Sequence, residues 1–113
     1  MSKIVAPERP VCAEGDTDIG SVSFSNQLDA GETLTGTPLV VEVGTTELTL
    51  SNKIINTAIL EINEVDVSIG EAVQFKVSGM LKETGGYKLK ITVTTTSTPA
   101  RTLVRYVRFD VED

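Results

Sequence analysis

Histidine and tryptophan are absent from the 113 residues, and cysteine occurs once. Without histidine the chain lacks the side chain that most readily exchanges a proton near neutral pH, and Cys12 has no obvious base to form its thiolate. The sequence therefore carries no enzymatic signature. A single cysteine makes no disulfide within the chain and gives no sign of an oxidising compartment. The aromatics are few (Phe24, Phe75, Phe109, Tyr87 and Tyr106), so the exposed indole platform that suits a carbohydrate-binding surface module is missing. Bases are outnumbered by acids, 10 against 16, for a formal charge of −6. That balance speaks against nucleic acid, whose phosphates need clustered Lys and Arg. No apolar run approaches the length of a membrane helix, and Ile4-Val5-Ala6 is broken by Pro7, Glu8, Arg9 and Pro10 before it reaches signal-peptide length. The expectation is a soluble protein made in a cytoplasm, with neither membrane nor nucleic acid as partner.

Acidic groups are present, but not in a metal-binding order. Asp16 with Asp18, or Glu61 with Glu64 and Asp66, would offer carboxylate oxygens, yet neither set has the spacing of a calcium loop. They read as solvated acids, and no metal or cofactor is expected.

What the chain does contain is alternation. Tyr87, Leu89, Ile91 and Val93 fall on one face of a strand, with Lys88, Lys90, Thr92 and Thr94 on the other. After Ser97-Thr98-Pro99-Ala100-Arg101, a connector suited to a turn, the period resumes through Leu103-Val104-Arg105-Tyr106-Val107-Arg108-Phe109-Asp110-Val111, so the two form a terminal hairpin. Tyr106 is out of phase with Val107 and Phe109. It lies on the outer face unless a bulge turns it inward. Upstream, short strands are expected at 21–25, 39–43, 47–51, 58–62, 65–69 and 72–78. Asn52-Lys53 reads as a turn, and Asn63-Glu64 as the tip of a tight hairpin. The segment 39–43, β-branched and mostly apolar, suits a strand covered on both faces or one at a rim. Seven to eight short strands punctuated every ten residues or so predict an all-β, immunoglobulin-like or fibronectin type III-like Greek-key sandwich over 19–113, with an up-and-down barrel as the alternative.

Residues 1–18 hold two prolines and a Glu14-Gly15-Asp16-Thr17-Asp18 cluster, which predicts an extended N-terminal arm. Ile4, Val5, Val11 and Cys12 give that arm buriable surface, and Pro7 and Pro10 stiffen it, so it is read as an interaction element. A second interaction surface is expected on the sandwich around Met80 and Leu81 in the glycine-bounded loop 79–86, or around Arg101 and Arg105.

The series from Phe24 to Leu28 followed by Asp29-Ala30-Gly31-Glu32-Thr33-Leu34, then Ser78-Gly79, Gly85-Gly86-Tyr87, Ile91-Thr92-Val93-Thr94-Thr95 and Arg101-Thr102 through Val111, resembles the small fibre-tail adaptor proteins of tailed bacteriophages. The likeness spans most of residues 20–113. It lacks the tryptophans associated with the Phe24 to Leu28 segment, and 52–70 matches less well. The resemblance implies an immunoglobulin-like, non-enzymatic virion protein that joins tail or fibre components, with other phage virion proteins and further copies of itself as partners. A capsid cement or decoration protein is the alternative it leaves open.

Overall fold

The computed structural model describes residues 3–5, 11–13, 17–62, 64–81 and 84–112. Among these residues ten strands follow in order: β1 (Lys3–Val5), β2 (Val11–Ala13), β3 (Asp18–Ser23), β4 (Leu34–Val43), β5 (Thr49–Ile55), β6 (Leu60–Ile62), β7 (Val65–Val67), β8 (Ala72–Ser78), β9 (Gly86–Thr95) and β10 (Thr102–Glu112). Helix is confined to one 3-10 turn, Ser25–Gln27, among the described residues. All eight strands read from alternation are present, with β4 and β5 longer than expected.

Two four-stranded sheets form: sheet I in the order β1-β3-β8-β5, and sheet II in the order β2-β10-β9-β4. The pair β6-β7 stands apart as a small hairpin. Pairing is antiparallel throughout the main strands, but the two pairs made by the N-terminal strands, β1 with β3 and β2 with β10, run parallel. An immunoglobulin domain is built of antiparallel sheets. The architecture established here is therefore the all-β sandwich itself.

The N-terminal stretch departs from the expected arm. Ile4 sits opposite Gly20 and Cys12 opposite Val111, so the stretch contributes an edge strand to each sheet. The reason is physical: β3 and β10 would otherwise present unpaired N–H and C=O groups, and Ile-Val and Val-Cys are sequences with high strand propensity. Pro7 and Pro10 lie outside the described residues. β3 itself starts three residues before the expected strand, at Asp18.

One core lies between the sheets. Val22, Phe24, Val73, Phe75 and Val77 meet Val40, Leu89, Ile91, Val93, Val107, Phe109 and Val111 in a single buried cluster. The strict alternation of β9 puts every second residue into it, from Tyr87 to Thr95. Tyr87 stacks on Phe109 with ring centroids 5.4 Å apart. Between β9 and β10 the register runs without interruption from Thr94 opposite Thr102 to Gly86 opposite Asp110, so no bulge turns Tyr106 inward. Asn52-Lys53, read as a turn, lies instead inside β5, where the register shifts between Ser51 and Ile54 and Asn52 takes φ 51°. Asparagine tolerates that left-handed backbone better than most residues, which is why it can mark either a turn or a bulge.

Candidate interaction surface

The sequence-predicted site residues do not converge. Met80 is only 1% exposed and belongs to the core, which corrects its reading as an interaction residue; its neighbour Leu81 is exposed, at 40%. Leu81 and Thr84 are tied down: Leu81 N–H donates to Tyr87 Oη at 2.9 Å, and both Tyr87 Oη and Thr84 Oγ1 donate to Glu47 Oε1, at 2.7 and 2.6 Å. Those two hydroxyls, Thr84 first, hold the Glu47 carboxyl below its usual range. Ile4, Val5, Val11 and Cys12 are on the edge strands described above.

Arg101 and Arg105 both bind within the chain. Arg101 donates to both carboxylate oxygens of Glu32 and to the Gln27 carbonyl at 2.9 Å, with Asp29 3.7 Å away. Its own N–H is held by Thr95 Oγ1 at 2.9 Å. The arginine therefore clamps the 25–34 segment onto the β9–β10 connector. Arg105, on the inward phase of β10, reaches the Ser23 carbonyl.

Glu32 is itself buried, and the Arg101 guanidinium, helped by the Asp29 N–H, holds its carboxyl far below the ordinary value of 4.5. A carboxyl whose folded pKa is depressed adds stability above its unfolded pKa and loses it as pH falls toward the folded one. Wild type should accordingly melt above Glu32→Gln at neutral pH, with the gap closing as pH drops below about 4.5. A gap that stays constant through the acid range, in melts followed by circular dichroism, would show that the ion pair contributes nothing to folding.

The surface that sequence reasoning missed is the outer face of sheet II. Register places Leu39, Thr92 and Val104 in one row, Val41, Lys90 and Tyr106 in the next, and Val43, Lys88 and Arg108 in a third. Leu39 is 55% and Tyr106 47% exposed, and Val41, Val43 and Val104 are exposed as well. Lys88 Nζ lies 4.5 Å from the centre of the Tyr106 ring. Apolar side chains thus flank a central strand of lysines and threonines, and no acid stands opposite those lysines in register. Asp110, one outward step beyond Arg108, closes the end of the face. The signal was present in 39–43, whose rim position leaves three aliphatics outward and only Val40 fully inward.

A second, acidic patch lies on the β6-β7 hairpin. Glu61 and Asp66 face each other directly, both exposed, and Glu64 sits at the tip with φ 64°. Ile59 and Val65 are 65% and 61% exposed, and Ile69 is also exposed. Buried Asn56 fixes this hairpin to the body. Its Nδ2 donates to the Ala58 and Ser68 carbonyls, both at 2.9 Å, and its Oδ1 accepts from the N–H groups of Gly70, Glu71 and Ala72 at 3.0, 3.1 and 2.9 Å.

Reaction chemistry has little to build on among the described residues. No group of three or more Cys, Asp or Glu side chains is placed to hold a metal ion. A shallow depression of about 190 Å³ is lined by Ile19, Asn52, Ile54, Gln74, Phe75 and Lys76, which is one amine without a nucleophile or a carboxylate beside it. It is smaller than the clefts that enclose small ligands. Asp18 is fully buried at the start of β3, with neither carboxylate oxygen bonded to a described residue. No helix of the described residues is long and apolar enough to cross a membrane.

No protein-family model matches the chain, and no curated protein does. Among solved structures, the solution structure of amebosin is similar over 97% of this chain and 94% of that one, at 13% identity and a TM-score of 0.42. A likeness of that size carries neither a fold nor a function across.

Proposed function

We propose that this chain is a non-enzymatic structural module of a tailed-bacteriophage virion, an immunoglobulin-like adaptor that joins tail and fibre components by binding alone. The observation that carries the reading is the outer face of sheet II, which exposed aliphatics, an exposed tyrosine and lysines share. Aromatic and cationic groups amid apolar area are what protein interfaces use as anchors, whereas scattered exposed hydrophobics need no explanation. The resemblance of residues 20–113 to fibre-tail adaptors supplies the virion context, and the all-β sandwich is compatible with it. Fold alone does not specify such a role.

The experiment is proteomic. In lysates of the producing host, the protein is expected in purified particles, in several copies, and in the tail fraction after heads and tails are separated. Recovery with heads would make it a capsid decoration protein instead. Its absence from purified particles would overturn the virion reading altogether.

A further inference from the structure

Of the ten exposed large hydrophobic side chains among the described residues, five lie on the outer face of sheet II and three on or beside the β6-β7 hairpin. The two patches carry opposite charge. Lys88, Lys90 and Arg108 stand on the sheet face, and Glu61, Glu64 and Asp66 on the hairpin. Glu61 directly opposite Asp66 is an arrangement that opposes hairpin pairing, since like charges facing across strands repel. Approaching cations would relieve it.

We infer that the β6-β7 hairpin of one copy docks on the outer face of sheet II of a second copy of this chain. Complementary charge selects this pairing over its rivals: face against face brings lysines to lysines, and hairpin against hairpin brings acids to acids. A single copy does not satisfy its own patches. The hairpin base is held where Gly70 O accepts from Leu34 N at 2.8 Å, at the first residue of β4, while the Val43, Lys88 and Arg108 row is at the far end of that strand. Leu34 and Val43 are the two ends of a ten-residue strand, roughly 30 Å apart. The contact therefore runs between copies: made twice and reciprocally it closes a dimer, and made once per pair it builds a ring or a filament according to whether the rotation closes. This deepens the multi-copy role proposed above without depending on the virion context.

Sedimentation velocity across a dilution series tests it. Wild type should self-associate, less so as salt rises. Lys88→Glu/Lys90→Glu and Glu61→Lys/Asp66→Lys should each weaken association about tenfold or more, and an equimolar mixture of the two should restore it, because each variant then meets a complementary patch on the other. All four residues have side chains that reach solvent, and the salt series reads the same contact without any substitution. Wild type that remains monomeric at every concentration, a reversal variant that associates as wild type does, or a mixture no better than its components would each overturn the inference. Presence in particles tests the virion reading separately, so either can fail alone.

Discussion

Replacing Asn56 by alanine should lower the unfolding free energy by about 2–3 kcal/mol, more than the loss of an ordinary hydrogen bond, because five side-chain hydrogen bonds go at once and the buried Ala72 N–H is left without its acceptor, while Gly70 and Glu71 keep the main-chain carbonyls of Asn56 and Ser68. Five main-chain groups lose their side-chain partner: the carbonyls of Ala58 and Ser68, and the N–H groups of Gly70, Glu71 and Ala72. Asn56 is 2% exposed, so water does not replace the amide without opening the structure. Aspartate should be no better. It keeps an acceptor for the three N–H groups but turns an anionic oxygen toward the two carbonyls that the amide nitrogen served. The loss is expected to be uneven along the chain. An isolated two-stranded hairpin is marginal in water, and β6-β7 depends on Asn56 together with the small cluster of Ile62, Val67 and Ala72. Hydrogen exchange should show the amides of Leu60–Ile62 and Val65–Val67 losing protection first, with β9 and β10 following only on global unfolding. Uniform loss across all strands would mean that the hairpin is not a separately fastened unit.

Alanine at Phe75 or at Phe109 should cost on the order of 3–5 kcal/mol, as for other buried aromatics. Both rings are essentially inaccessible, at 1% and 0%. Phe109 loses in addition its stacking on Tyr87. Phe75 has a further dependency that sets it apart: it pairs across the ladder with Gly20, and its ring lies over that glycine. A methyl group at position 20 would come within 2.2 Å of the ring tip, so the ring has to move. Gly20→Ala is accordingly expected to cost about 1–3 kcal/mol by overpacking, despite adding a better strand former. Combining it with Phe75→Leu, which shortens the clashing side chain, should cost less than the sum of the two separate changes. Urea or thermal melts of the four proteins measure this coupling. Losses below about 1 kcal/mol at both phenylalanines would mean that the inward face is wrongly assigned.

Much of this molecule is local and was legible as such. The inward phases of β8, β9 and β10 follow from a period of two, because a strand with one buried face has no other way to place Val73, Phe75 and Val77, or Leu89, Ile91 and Val93. The hairpin at Leu60–Val67 was readable for the same reason, from alternating residues on each side of a two-residue connection. Likewise Tyr106 faces outward as its phase requires.

Sequence by itself determined the class, the eight main strands and most of the core. Which charges and backbone groups meet across long separations was decided only by the tertiary structure. Arg101 looks like an available surface cation until the fold brings Glu32 to it across 69 positions. Met80 looks like an exposed loop residue until the turn at Gly79, with φ +84°, directs the chain so that the thioether enters the core. Residues 1–18 have the composition of an arm, and Lys3–Val5 and Val11–Ala13 become strands because two sheet edges happen to lie within reach. Asn56 shows the limit most plainly. An asparagine between two strands is an ordinary turn residue in sequence, and it becomes a hub when residues 58 and 68–72 close around its amide. Hydrophobic periodicity is written along the chain, whereas hydrogen-bond satisfaction depends on partners that are neighbours only after folding.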